Sequence, residues 1–415
     1  MTLNKLFKLV EESREFAKDL LVNMISLPTV NPPGENYLEF CGLFKEVLNN
    51  IGLKTEIKRV PDEFVKKHLS KESWNYPRYI VVAKLGEGRP ILHFNGHYDV
   101  VPPGTGWKKT DPFKPRVIGD LIYGRGATDM KGGLTSIVTA VKAIIESNIE
   151  LNGCLEISAT PDEETGGETG VGYMVENELV SPDYAIIAEP SGIDNIYFGH
   201  KGAVWLKVTI YGKQAHGSTP WLGINAFEKT AKVVNYLVKE LKPKLSKKVS
   251  KYETIDPRGR TATINIGGVV SGGAKINIVP GEVWFTIDRR IIPEEEIDEA
   301  INEIKTVLEK AKREDSEIEY KIDVLGKLKP CITPIDSKII KALSNSIKKT
   351  LKRPAKLTMC IGGLDMRYFV KKGVETVTYG PGEVSVAHMA DEYVRIDSLI
   401  AVSKVYASTI LNVLK

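Results

Sequence analysis

Seven side chains able to bind cations or move protons stand in five short segments. They are His97 and Asp99 in NGHYDVV, Asp129 in GRGATDMKGG, Glu163 and Glu164 in TPDEETGG, Glu189 in AEPSG and His388 in GPGEVSVAHMADE. Taken singly, each has an ordinary explanation. An H-x-D at a strand end is commonly a hydrogen-bonded structural pair. Asp129 could be the N-cap of a following helix. Paired glutamates are usually a solvated turn, and Glu189-Pro190 could be a plain loop. Taken together, these carboxylates and imidazoles would repel one another in a poorly solvated crevice unless a divalent cation joined them. His, Asp and Glu without thiolates suit zinc, cobalt or manganese in a catalytic role. Five ligands are too many for one tetrahedral ion with an open position. They suffice for two ions if one carboxylate bridges, a recurrent hydrolytic arrangement.

The elements that must position these groups follow from hydrophobic patterning. PILHFNGHYDVV (90–101), LEISAT (155–160) and YAIIA (184–188) are nearly continuous apolar runs ending in polar residues, as in strands buried on both faces. Residues 132–147 carry Leu134, Ile137, Val138, Val141, Ile144 and Ile145 at helical spacing. Alternating strands and helices predict an α/β fold with a mostly parallel sheet flanked by helices. Its ligands would bind at the carboxyl ends of the strands, where the acid and His segments stand.

A second rhythm begins near residue 203. Strand-like AVWLKVTIY (203–211), 261–270, 282–292 and 318–325 alternate with helical stripes at 224–241 and 297–308, in the order β-α-β-β-α-β. That order predicts a ferredoxin-like α+β domain. The α/β rhythm returns after Pro330, with helices expected at 336–351 and 396–413 and strands near 356–360 and 374–379. The chain is therefore expected to form two domains, with the first built from 1–198 and 327–415 and the second, 199–326, inserted. Residues 61–79 are charged and read as an irregular surface excursion.

Composition excludes several classes. Over 415 residues, apolar types make up 42% and charged types 27%, an ordinary globular balance. No apolar run comes near the roughly 18 residues that span a bilayer, and the charged N-terminal stretch 1–21 reads as an amphipathic helix, not a signal peptide. We expect a cytoplasmic protein that engages no membrane. The net charge of +4 is weak, and the most basic stretch, 242–251, lacks the aromatics of a nucleic-acid surface, so no nucleic-acid partner is expected. Four cysteines without a C-x-x-C argue against structural zinc and disulfides.

Eight stretches in this order resemble the M20 family of metallopeptidases and amidohydrolases: GHYDVVP, YGRGATDMKGG, PDEETGG, AEPSG, GKQAHGSTP, INIVPG, IDRRIIP and GPGEVSVAHMADE. That family includes acetylornithine deacetylase, succinyl-diaminopimelate desuccinylase, glutamate carboxypeptidase and aminoacylase. The resemblance implies a zinc-peptidase-like catalytic domain and an inserted lid domain that also dimerises. It implies two divalent ions per chain, zinc first, with cobalt or manganese as alternatives. His97, Asp129 and Glu189 would hold one ion; Asp129, Glu164 and His388 the other. The peptide bond after Asp129 would be cis. Asp99 would fix the tautomer of His97. Glu163 would be the general base on the metal-bridging water. Adjacent glutamates in extended backbone point different ways, which suits this division of roles.

The resemblance also assigns His216, in QAHGS, to a partner subunit's active site, where it would steady an oxyanion. Asn277 and Arg290 would grip a substrate carboxylate, although Arg290 could equally pair with Asp288 along its own strand. Lys201 stands where desuccinylases tend to have Arg. Gly362 and Gly363 suit a tight turn whose backbone approaches the ligand. Leu364 departs from the Thr that many relatives carry in a GGTD-like turn. His93 and His200 match no ligand position and read as a core-strand and a domain-boundary residue. The implied activity is hydrolysis of the amide bond of N-acyl amino acids, of the deacetylase or desuccinylase type within amino-acid biosynthesis. A dipeptidase or carboxypeptidase acting on short peptides is one alternative; a non-catalytic metal-binding relative is another. The presence of all seven groups opposes the last.

Overall fold

The computed structural model describes residues 3–415. It divides into two compact units: Met1–Phe198 with Thr333–Leu357 and Leu364–Lys415, and Gly199–Ile332 with Thr358–Gly363. Residues 327–332 and 358–363, expected in the returning part of the first domain, group with the second unit. There the Met359 N–H bonds the carbonyl of Glu253 and the Lys201 N–H bonds that of Cys360.

The larger unit is built on a mixed sheet. Its strands run in the order Lys54–Arg59, Tyr79–Gly86, Cys154–Thr160, Ile91–His97, Tyr184–Ile187, Glu375–Thr378 and Asn195–His200. Only the central four pair in parallel; the flanking pairs are antiparallel. The central strands are the continuous apolar runs, as burial on both faces requires. Phe94 packs on Tyr406 of helix Ile396–Leu414, and its neighbour His93 on Phe369 of helix Met366–Lys371. Successive strand residues point to opposite faces, so these two helices cover opposite sides of the sheet.

Helix Ile396–Leu414 is the one helix among the described residues long and apolar enough to cross a membrane, with mean hydropathy 1.2. No such run was expected, because Asp397 and Lys404 interrupt it. Its apolar window is 61% buried, packed on helices Lys131–Glu146 and Lys338–Leu351. The N-terminal amphipathic stretch forms two helices, Leu3–Glu12 and Arg14–Ile25; Met1 and Thr2 lie outside the described residues.

Residues 61–79 are more ordered than their charge suggests. They include helix Asp62–His68, and they deliver Arg78 fully buried into the unit. The charges that read as surface belong to that helix and to the 3-10 turn Lys71–Ser73; Arg78 has an internal partner.

The second unit forms the expected ferredoxin-like arrangement. Its antiparallel sheet runs Thr263–Gly272, Glu282–Ile291, Gly202–Tyr211, Glu319–Leu328. Val204, Leu206, Val208 and Ile210 alternate toward helix Ile297–Glu314, which answers with Ile301, Ile304 and Leu308. The helix from Ala226 passes through a π turn at Leu237–Leu241.

His93 is a core residue, as expected. It faces Glu156 across the parallel pair, Nδ1 to Oε2 at 3.3 Å, and Nε2 meets Ser158 Oγ at 2.8 Å. Lys84 reaches the other oxygen of Glu156 at 2.8 Å. Burial opposes the Glu156 charge, but His93 and Lys84 prevail and hold its carboxyl down to about 2. The folded-state value lies below the unfolded one, so the stabilisation is complete above about pH 5 and is lost as pH falls toward 2. We predict that Glu156→Gln lowers the unfolding midpoint of metal-free protein at neutral pH. The gap to wild type should close between about pH 5 and pH 2. A pH series of denaturant midpoints checks this; a gap independent of pH would refute the assignment.

Candidate metal centre

The site forms where the parallel strands end together. His97 is the last residue of Ile91–His97 and lies opposite Thr160; Glu189 follows two residues after Tyr184–Ile187. Asp129 comes from the turn before helix Lys131–Glu146. Two glycines let that helix approach. A Cβ on Gly96 would lie 2.7 Å from Leu134 Cδ2, and one on Gly133 would lie 2.1 Å from the carbonyl oxygen of Ala188. The second contact locks the start of the helix onto the segment that carries Glu189. Asp129 is not an N-cap, because Met130 occupies that position and the Asp129 side chain turns away to two histidines. The peptide after it is cis, as the resemblance implied.

Asp129 occupies the centre. Its Oδ1 lies 3.1 Å from His97 Nε2 and its Oδ2 3.2 Å from His388 Nε2. Glu189 Oε1 lies 3.3 Å from His97 Nε2, and Glu164 Oε1 3.1 Å from His388 Nε2. The candidate ligand atoms of His97, Asp129 and Glu164 lie within 4.8 Å of one another, as do those of His97, Glu163 and Glu189. Glu163 and Glu164 occupy a 3-10 turn, Glu163–Thr165, not the extended backbone expected. Their divergence arises from the turn.

Asp99 organises both sides. Its backbone carbonyl lies 2.9 Å from His97 Nδ1 and its Oδ1 3.4 Å from the same nitrogen, which leaves Nε2 toward the centre. Its carboxylate also accepts the N–H groups of Glu163 (3.3 Å) and Glu164 (3.2 Å).

Burial and mutual repulsion act on the carboxylates of the cluster. Burial pushes Glu189 up to about 8, with Asp129 adding and His97 opposing. Burial, then Glu189 and Asp365, raise Glu163; burial and Asp129 raise Glu164. Burial would also raise Asp129, but His388 and His97 hold it well below the usual carboxylate range. Asp129 and Glu164 lift His388 to about 10. The donor set fits divalent ions: carboxylate oxygens and imidazole Nε2 atoms converge, and positive charge there would reverse the penalty on each carboxylate.

Several participants escaped sequence reading. Asn31 Nδ2 donates to Asp99 Oδ2 (2.8 Å), Asp162 Oδ1 (3.1 Å) and Thr165 Oγ1 (3.1 Å). Buried Asp162 has φ 66°, accepts from Tyr37 and Thr169 and pairs with Arg78 Nε at 2.8 Å. Asp365 is buried, 3.5 Å from Arg367, and its field acts on Glu163. The turn signal of NPPG at 31–34 was available; the pairing of Arg78 with Asp162 was not.

The remaining predicted residues belong to the second unit. His216 is exposed, with Nδ1 2.7 Å from Ser218 Oγ. Asn277 is exposed and its carbonyl accepts from Gly217 N–H. Arg290 does pair with Asp288, at 2.8 and 2.9 Å. Lys201 Nζ donates to the carbonyls of Gly259 (3.2 Å) and Thr261 (2.7 Å). Gly362 lies in a bend and Gly363 in irregular backbone after it, and neither is left-handed.

Residues 93–412 match the family described as Peptidase family M20/M25/M40. The chain belongs to that family. As an M20 protein it is a metal-dependent hydrolase, and its two-domain α/β fold is the family's. It is 28% identical to a probable succinyl-diaminopimelate desuccinylase of Staphylococcus aureus (strain MRSA252), over 95% of this chain and 97% of that protein. It is 30% identical to a metallohydrolase of Methanocaldococcus jannaschii, over 96% of this chain and 98% of that one. Its fold is similar to that of the di-peptidase Dug1p from Saccharomyces cerevisiae, with a TM-score of 0.79 and 17% identity, covering 99% and 98% of the two chains.

The turn bearing Glu163 and Glu164 depends on a buried ion pair. We predict that Arg78→Ala costs about 3–5 kcal/mol by stranding the Asp162 carboxylate. Arg78→Met combined with Asp162→Asn should recover most of that loss, since Asn tolerates left-handed backbone. Denaturant unfolding of metal-free protein checks both.

Proposed function

We propose that this protein hydrolyses the amide bond of N-acyl amino acids, with two divalent ions per chain. The observation that supports it is Asp129 set between His97 and His388, with Glu189 and Glu164 beyond them and Glu163 to spare. His97, Asp129 and Glu189 would hold one ion and Asp129, Glu164 and His388 the other. Zinc is the first choice, with cobalt or manganese as alternatives. The ions would supply Lewis acidity toward the scissile carbonyl and ease deprotonation of water.

Glu163 does the proton work. Its carboxylate accepts a proton from the attacking water and returns it to the leaving nitrogen. Asp99 keeps Glu163 and His97 in place through the contacts described above. We propose further that His216 steadies the developing oxyanion, that Asn277 and Arg290 bind the substrate carboxylate, and that Lys201, Gly362 and Gly363 contribute to substrate binding. For Arg290 this requires exchange of Asp288 for the substrate. The 199–326 domain would act as lid and dimerisation domain.

Within amide hydrolysis, the likeness to the Staphylococcus protein favours an acyl amino acid. The fold likeness to Dug1p keeps a dipeptide in view. Leu364 offers no hydroxyl to a succinyl group.

The test is a panel of acyl-amino acids and dipeptides offered to chelator-stripped protein titrated with zinc, cobalt or manganese. Activity should return as metal approaches two per chain. Glu163→Ala should lower turnover by about 10²–10⁴-fold, the usual scale for a general base, with metal content unchanged. Loss of metal in that variant would make Glu163 a ligand instead. Two bound ions with no cleavage across the panel would favour a non-catalytic relative.

A further inference from the structure

The segments that carry Asp129 and His388 are joined by an ion pair to which the proposed reaction gives no task. Glu392 is fully buried. Its Oε1 accepts the backbone N–H groups of Thr128 (2.9 Å) and Asp129 (3.1 Å), and its Oε2 pairs with Arg125 Nη1 at 2.5 Å. Arg125 is buried too. Its Nη2 donates to the carbonyls of His388 (3.1 Å) and Pro103 (3.3 Å), and its Nη1 also to that of Met389 (3.3 Å). Its guanidinium lies 5.4 Å from the centre of the Trp107 ring. The carboxylate thus grips the peptide of Asp129, while its guanidinium partner grips the peptide of His388.

His388 depends on such a grip. Its φ is 62°, left-handed backbone that a non-glycine residue adopts only when its surroundings impose it. Asp391, with φ 56°, fixes the same loop by accepting the N–H groups of Lys108 and Lys109. His97 is held differently, by Asp99 on its own strand end.

We infer that Arg125 and Glu392 are positioning residues that set His388 against Asp129, and so set the affinity of the ion held by Asp129, Glu164 and His388. This rests on the two-ion reading above. A buried ion pair contributes little to stability against an apolar replacement. This one instead fixes the geometry of two groups 259 positions apart in the sequence.

The test titrates chelator-stripped, full-length protein with cobalt(II) alone, read by visible absorption and calorimetry. Arg125→Lys keeps the charge but loses the fork. Glu392→Gln keeps an acceptor for the Asp129 N–H but loses the charge. Wild type should bind two ions. Both variants should bind the first as wild type does and the second about 10–100-fold more weakly, the usual scale for partners that orient metal ligands. Melting of the metal-free proteins is measured alongside, since a merely structural role shifts the melting temperature without separating the two ions. If either variant fails to fold, the double variant R125M/E392L leaves no lone buried charge and permits the same comparison. Two ions at unchanged affinity, or both affinities falling together, would overturn the inference. A wild type that binds fewer than two ions would overturn the two-ion reading, and this inference with it.

Discussion

Asp129 places one carboxylate oxygen on each of two imidazoles, 3.1 Å from His97 and 3.2 Å from His388. Around it, burial forces Glu163, Glu164 and Glu189 toward their neutral forms. A protein gains nothing in stability from such a gathering without a cation. The rest of the larger unit is organised to bear it. Parallel strands bring His97 and Glu189 to one edge, and the bare faces of Gly96 and Gly133 bring the Asp129 turn down onto that edge.

A layer of polar groups outside the cluster holds its side chains in place. Asp99 receives the amides of Glu163 and Glu164 while it faces the far side of His97. Asn31 ties Asp99 to Asp162, and Arg78 neutralises Asp162 from a segment that is otherwise surface. Ligands to a metal need such partners, because an imidazole or carboxylate free to rotate loses affinity. The family assignment follows from the length of the match; the geometry shows the carboxylates and imidazoles that the larger unit gathers at one place.

Much of this was legible in the sequence. The buried strands read as apolar runs, and the acid and His residues at their ends, each ordinary alone, point to a cation only as a set. The β-α-β-β-α-β order of the second unit could be read from periodicity alone. Less legible were pairings between distant segments. Nothing local in 61–79 marks Arg78 as buried, since its partner lies 84 residues away. Arg125 and Glu392 likewise acquire meaning only when their segments meet. The antiparallel flanks of the large sheet were missed because an apolar run does not reveal the direction of its neighbour. Helix Ile396–Leu414 reads as a helix from its period, but Asp397 and Lys404 break its apolar run, so its membrane-like mean hydropathy shows only when averaged over the whole helix.

The central claim is that one carboxylate bridges two ions while Glu163 stays free. The most direct measurement is a crystal structure of metal-loaded protein with anomalous difference maps at the metal edge. The account predicts two peaks about 3.5–4 Å apart, one among His97, Asp129 and Glu189 and one among Asp129, Glu164 and His388, with Glu163 outside both coordination shells. A single peak, or Glu163 bound directly to an ion, would contradict it.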